Sequence, residues 1–213
     1  MAGSMSGFGS AGKPLRQSAT LERADLFAVP TFYTDLQLDN QSMIDALYSI
    51  KQEDPEGLHR SNTIGWHSSD DLNHRSEFMD LSVAVTNIAT GLVTSEEYKW
   101  LFTKNIENYF PSNVTINNMW GMISPPLAYN VTHNHPGVCF SGVYYLSVPQ
   151  DSGSIEFYHP SDAASFYGYG RQTETFSVYP GRLILFPPWL KHSVQQNRSQ
   201  YDRLCVSFNI SIE

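Results

Sequence analysis

The spacing of apolar residues divides this chain into two parts. Met43, Ile44, Leu47 and Ile50 recur at three- and four-residue steps. They predict a helix that Asp39 or Asn40 caps and that runs to about Gln52. The same step links Phe78, Leu81, Val85 and Ile88 and predicts a second amphipathic helix over Ser76 to Ile88. Ser95-Glu96-Glu97 opens a third, running to about Tyr109, and Pro111 closes the helical region. Ahead of these, Leu26 to Tyr33 (LFAVPTFY) reads as a short entering strand, placed at a sheet edge because it contains a proline.

From Asn113 onward the period falls to two. Val114, Ile116, Asn118 and Trp120 alternate with other residues, and short strand-like runs follow at Phe140 to Val148, Ser154 to Tyr158, Thr173 to Val178, Arg182 to Phe186, Ser193 to Gln195 and Leu204 to Ile212. Short strands separated by Gly, Pro and Asn predict a sandwich or small barrel. The expected architecture is mainly β, with N-terminal helices packed on a C-terminal β-roll. Residues 1–20 begin with a Gly/Ser/Ala-rich stretch and are expected to be a flexible tail or an expression remnant, leaving residues 21–213 as a single domain. Glu53 to Asn73 has no period and reads as a long loop, and loops of this length in a compact domain usually carry function. Trp66 and His67 within it, and Trp189 further along, are candidates for a substrate mouth.

Composition narrows the function classes. A formal net charge of −8 and the absence of a Lys/Arg cluster argue against nucleic acid as a partner. No apolar run suggests a membrane span, and no secretory leader is expected. Two cysteines, Cys139 and Cys205, do not make a disulfide framework and fit a reducing, cytoplasmic setting. A homodimer stays compatible with the sequence.

Chemistry concentrates in VTHNHPGVCFSGVYY, Val131 to Tyr145. On an extended strand His133 and His135 would project from one face, as adjacent metal ligands must. His192, in the stretch from Phe186 through Pro187-Pro188-Trp189 to Ser193, is the third candidate. Imidazole suits Fe, Zn, Cu and Ni alike, so the ligand type does not select the metal. Only neutral imidazole binds metal, so affinity is expected to fall as pH drops through about 6.5. Arg203, on the next predicted strand, offers a planar fork that grips a carboxylate bidentately. A metal and an arginine holding opposite ends of one small diacid is the arrangement that 2-oxoglutarate requires.

With these motifs in view, the sequence resembles the Fe(II)/2-oxoglutarate-dependent oxygenases, and within them a short microbial and viral branch. The resemblance spans about Phe27 to Ile210. It rests on Ser61-Asn-Thr-Ile-Gly-Trp-His-Ser, His133-Asn-His-Pro, Ser141-Gly-Val-Tyr-Tyr-Leu, Gly153-Ser-Ile-Glu-Phe, Gly181-Arg-Leu-Ile-Leu-Phe-Pro, His192-Ser-Val and Arg203-Leu-Cys-Val-Ser-Phe-Asn. It implies a double-stranded β-helix (a cupin-like jelly roll) and Fe(II) and 2-oxoglutarate as cofactors. The implied activity is a dioxygenase that hydroxylates a small molecule or peptide side chain and releases succinate and CO2. It also implies that His133 and His192 bind iron, that Arg203 binds the distal carboxylate of 2-oxoglutarate, and that Ser141 and Tyr145 line that pocket.

One departure stands out. The family at large carries His-x-Asp or His-x-Glu, whereas the acid position here holds His135. Either His135 is a third ligand, or water or an anion takes that place. Glu156 is discounted as a substitute because Ile155 and Phe157 should face inward on its strand. Two other readings remain: a three-histidine cupin-type dioxygenase that does not use 2-oxoglutarate, and a non-catalytic β-roll binding module.

Overall fold

A computed structural model describes residues 28–98, 113–161 and 172–212. Its elements in chain order are β1 (Phe32–Asp35), α1 (Asn40–Glu53), β2 (Asn62–Thr63), β3 (Trp66–His67), α2 (Met79–Thr94), β4 (Val114–Ser124), β5 (Tyr129–His133), β6 (Phe140–Ser147), β7 (Ile155–Tyr158), β8 (Thr173–Thr175), β9 (Arg182–Phe186), β10 (His192–Val194) and β11 (Arg203–Ile212). The strands form two antiparallel sheets, a larger one ordered β1-β9-β6-β11-β4-β3 and a smaller one ordered β2-β5-β10-β7-β8. This is the mainly-β, double-stranded β-helix arrangement, with the helices laid on the outer face of the larger sheet.

The helices form where the apolar stripe and the caps agree. Asp39 accepts from Ser42 N and so caps α1, whose buried side chains are Met43, Leu47 and Ile50. Leu81, Val85, Ala89 and Val93 stack at four-residue steps as the buried face of α2. α2 begins at Met79, because residues 76–78 form a 3-10 turn, and it continues six residues past the predicted end at Ile88. Gly121 on β4 lets α1 approach, since a Cβ there would collide with Leu47. Leu47 is completely buried, and truncating such a leucine to alanine costs about 2–5 kcal/mol.

Other predicted boundaries shift. The entering strand begins at Phe32, after Pro30, and lies at the edge of the larger sheet as expected. The loop from Glu53 to Asn73 contains two strands of two residues each, β2 joining the smaller sheet and β3 the larger. The predicted third helix lies, after Tyr98, outside the described residues, as does the N-terminal tail.

Strand alternation then separates two cores. On β4, Met119 and Ile123 face the helices, while Asn118, Trp120, Met122 and Ser124 face the space between the sheets. A second cluster of Val143, Tyr145, Ile155, Phe157, Ile184 and Phe186 fills part of that space. The rest is a cavity of about 390 Å³, within the range of roughly 300–1,000 Å³ typical of small-molecule sites. No described helix is long and apolar enough to cross a membrane.

Candidate metal centre

The smaller sheet brings two of the histidines face to face. His133 is the last residue of β5 and pairs directly with His192, the first of β10. Their ring centroids lie 4.3 Å apart. His135 comes from elsewhere than predicted. It stands past the end of β5, because the Pro136-Gly137 turn, with Gly137 at φ 85°, takes the chain out of the sheet. Its backbone N–H donates to Pro188 O at 2.8 Å, which ties it to the Pro187–Leu190 turn that leads into His192. The three rings converge, and their candidate ligand atoms all lie within 4.8 Å of one another. His135 Nε2 and His192 Nε2 lie 3.3 Å apart.

Backbone carbonyls set the tautomers. His133 Nδ1 donates to Val131 O at 2.8 Å and His192 Nδ1 to Leu190 O at 2.9 Å. A carbonyl only accepts, so each Nδ1 carries the proton and each Nε2 keeps a lone pair for a metal. Phe157 and Phe186 pack around His192, which is 3% exposed. Among the described residues no carboxylate joins this cluster. On β7, Ile155 and Phe157 are buried inward, so Glu156 points to the other face.

Burial holds these imidazoles neutral. It lowers the pKa of His133, and together with the neighbouring His133 it pushes His135 down to about 4 and His192 to about 3. The window for proton competition therefore moves well below the 6.5 that the sequence suggested. Metal affinity is expected to begin falling at a lower pH than 6.5, which zinc titrations at several pH values would show. The metal-free fold has its own pH dependence. These groups bind protons in the unfolded chain near pH 6.5 but resist them when folded. Their contribution to stability is thus complete above pH 6.5 and lost progressively as pH falls toward 3–4, which lowers the melting temperature of the metal-free protein.

The ladder between β4 and β11 sets the long axis of the cavity. Ser124 pairs with Arg203, Trp120 with Ser207 and Asn118 with Asn209, a span of about 20 Å along the strand. Arg203, 2% exposed, occupies one end and donates through Nη1 to Ser152 O and Gln195 O. Among the described residues no carboxylate lies within ion-pair distance of it. Tyr145 and Cys205 pair across β6 and β11 and line the same end. Burial raises the Tyr145 hydroxyl pKa and pushes the Cys205 thiol up to about 11, so both stay protonated. Ser141 shares the face of Tyr145, but its hydroxyl donates to Asn209 Oδ1 at 2.7 Å and it does not line the cavity.

The three candidates for the mouth separate. His67 pairs with Met122 and faces the cavity, whereas Trp66 pairs with Ile123 and turns into the core, its indole N–H donating to Asp54 O. Successive residues of a strand take opposite faces, so only one of the two could serve. Trp189 is 53% exposed on the Pro187–Leu190 turn and does not line the cavity. Trp120, which the sequence reading left as a strand residue, stacks on His67 at 5.5 Å and leans toward His135 at 5.9 Å.

Comparison with known proteins points the same way as this geometry. Residues 118–209 match the family model described as "putative 2OG-Fe(II) oxygenase". The matched segment contains the three histidines, Arg203 and the stretch of the β4–β11 ladder from Ser124–Arg203 to Asn118–Asn209. Over this segment the chain is similar to the 2-oxoglutarate- and iron(II)-dependent oxygenases. Solved structures show that the chain shares its fold with several such enzymes. A Pseudomonas putida prolyl-4-hydroxylase is 14% identical, with a TM-score of 0.59 over 87% of this chain and 94% of that one. A Trichoplax adhaerens prolyl hydroxylase, solved with a hypoxia-inducible-factor peptide fragment, is 14% identical, with a TM-score of 0.60 over 85% and 83%. HygX from Streptomyces hygroscopicus, solved with nickel and 2-oxoglutarate, is 11% identical, with a TM-score of 0.54 over 86% and 83%. No curated protein matches the chain.

The matched family model names 2-oxoglutarate and iron(II), and the residues present suit both. Three neutral imidazoles with their lone pairs turned to one point fit iron(II). A buried guanidinium with no carboxylate within reach is costly unless an anion joins it, and a diacid is such an anion.

Proposed function

We propose that the chain hydroxylates a C–H bond of a small molecule or peptide side chain, with iron(II) held by Nε2 of His133, His135 and His192. In this reading Arg203 takes the distal carboxylate of 2-oxoglutarate. The observation that carries it is the convergence of three imidazoles, two of them oriented by backbone carbonyls, on a cavity that ends at a buried arginine with no described carboxylate in ion-pair reach. When bound, the cofactors supply the oxidising power: 2-oxoglutarate is decarboxylated to succinate and CO2, and one oxygen atom of O2 enters the substrate.

The protein's share is placement and exclusion. The carbonyls of Val131 and Leu190 fix two rings in the ligating tautomer. Pro188 O fixes the loop that carries His135. Ser152 O and Gln195 O hold one arm of Arg203, which orients the remainder of its fork along the cavity. Tyr145 and Val143, both buried, keep bulk water from the co-substrate end. The lack of a carboxylate among the three ligands favours, as a second reading, a three-histidine dioxygenase that works without 2-oxoglutarate. That reading leaves Arg203 without a task.

The test is turnover with iron(II), O2 and 2-oxoglutarate and no added substrate, followed by succinate. Slow succinate release that needs all three components supports the proposal. Tight iron binding without any succinate supports the second reading.

A further inference from the structure

The half of the cavity away from Arg203 has no part in holding metal or co-substrate, yet it is built from polar side chains. We propose that this half is a subsite that recognises hydrogen-bond donors and selects a substrate bearing an amide N–H. The inference deepens the proposed function and rests on it, with metal and co-substrate assigned to the centre and the Arg203 end.

Asn118 and Asn209 face each other across β4 and β11 and both line the cavity. Asn209 Oδ1 already accepts from Ser141. Asn118 Oδ1 is buried and has no hydrogen-bond partner. A buried acceptor left without a donor is unfavourable, so native proteins rarely keep one without a use. Nearby, on Trp120, sits a second acceptor. His67 Nδ1 donates to Ser68 O at 2.6 Å, which leaves Nε2 with a lone pair in a ring that lines the cavity. A third acceptor, the Asp70 carboxylate, lines the same region and faces Arg60 Nη2 at 3.7 Å.

A ligand here meets these lone pairs beside the N–H groups of Arg60 and of the two asparagine amides. An ester or carboxylate has acceptors for the latter but no donor for the former, whereas an amide supplies the missing N–H as well. Asp70 is balanced by Arg60, so the donor need not carry charge. Sites of this kind discriminate strongly, because a ligand without the donor leaves the buried acceptor unpaired.

Benzamide and methyl benzoate make a direct test, since they share a ring and a carbonyl and differ in the N–H. Their affinities would be measured by ligand-observed NMR on the Zn(II)-loaded protein with 2-oxoglutarate present. Benzamide is expected to bind about tenfold more tightly. Asn118→Leu should remove that preference and leave Zn(II) and 2-oxoglutarate affinities as they were. His67→Phe keeps a ring on Trp120 but loses the acceptor, and should reduce the preference, which serves if Asn118→Leu does not fold. Equal binding of the two probes overturns the subsite, and so does a preference that survives both substitutions. Loss of 2-oxoglutarate binding in Asn118→Leu also overturns it, by giving Asn118 to the co-substrate. If Zn(II) or 2-oxoglutarate does not bind the unaltered protein, the proposed function fails. The two probes titrated into metal-free protein would then still decide the subsite.

Discussion

Changing His192 to alanine is expected to leave the protein unable to hold iron(II), with affinity down by at least about 100-fold. The expectation follows from its burial, its fixed tautomer and its place opposite His133. His133→Ala should behave alike. The informative position is His135, which reaches the cluster from a turn rather than from the strand. His135→Asp restores the carboxylate usual in the family. If His135 is a ligand, this variant keeps iron, whereas His135→Ala loses it. Anaerobic iron(II) titration followed by d–d absorption reads all four variants. Iron affinity and succinate release that survive His135→Ala would reduce the site to two histidines and an open position.

The second large effect belongs to Arg203. Arg203→Lys keeps one positive charge but loses the planar fork, and is expected to weaken 2-oxoglutarate by about 100-fold, or ~3 kcal/mol. Metal affinity should hardly change, because none of the three imidazoles bonds to this residue. Calorimetric titration of 2-oxoglutarate into the Zn(II)-loaded variant checks this. A melting curve controls for the lost bonds to Ser152 O and Gln195 O. Unchanged 2-oxoglutarate affinity would remove Arg203 from the site.

Local signals made much of this fold legible. The Asp39 cap and the 43/47/50 stripe announced α1 almost to the residue, and the change of period at Asn113 marked the start of β4. His133 and His135 were legible from their His-x-His spacing and His192 from the strand-like run beside it, but His135 does not lie on the strand that the spacing predicts. The proline and glycine that follow it end the strand before it, and it joins its partners through Pro188 O instead. Trp66 and His67 were read together as loop residues because a two-residue strand carries too little pattern to show its alternation. The pairing of Asn118 with Asn209 was beyond reach. It depends on the register of two strands far apart in the chain, and one sequence contains no local trace of that register.

β11 lies at the centre of the larger sheet, between β4 and β6, although it is the last of the described strands. Until it inserts, β4 and β6 each present a bare edge beside a gap, and such edges invite pairing with other chains. Contacts that join early and late parts of a chain also slow the search for the native state. The chain is therefore expected to fold late and cooperatively, and to lean on chaperones more than a helical protein of its size. The same insertion delivers Arg203 and Asn209 together, so both ends of the cavity come into being in one event. A half-folded chain has neither, and under the proposed function it would lack the arginine that holds the co-substrate.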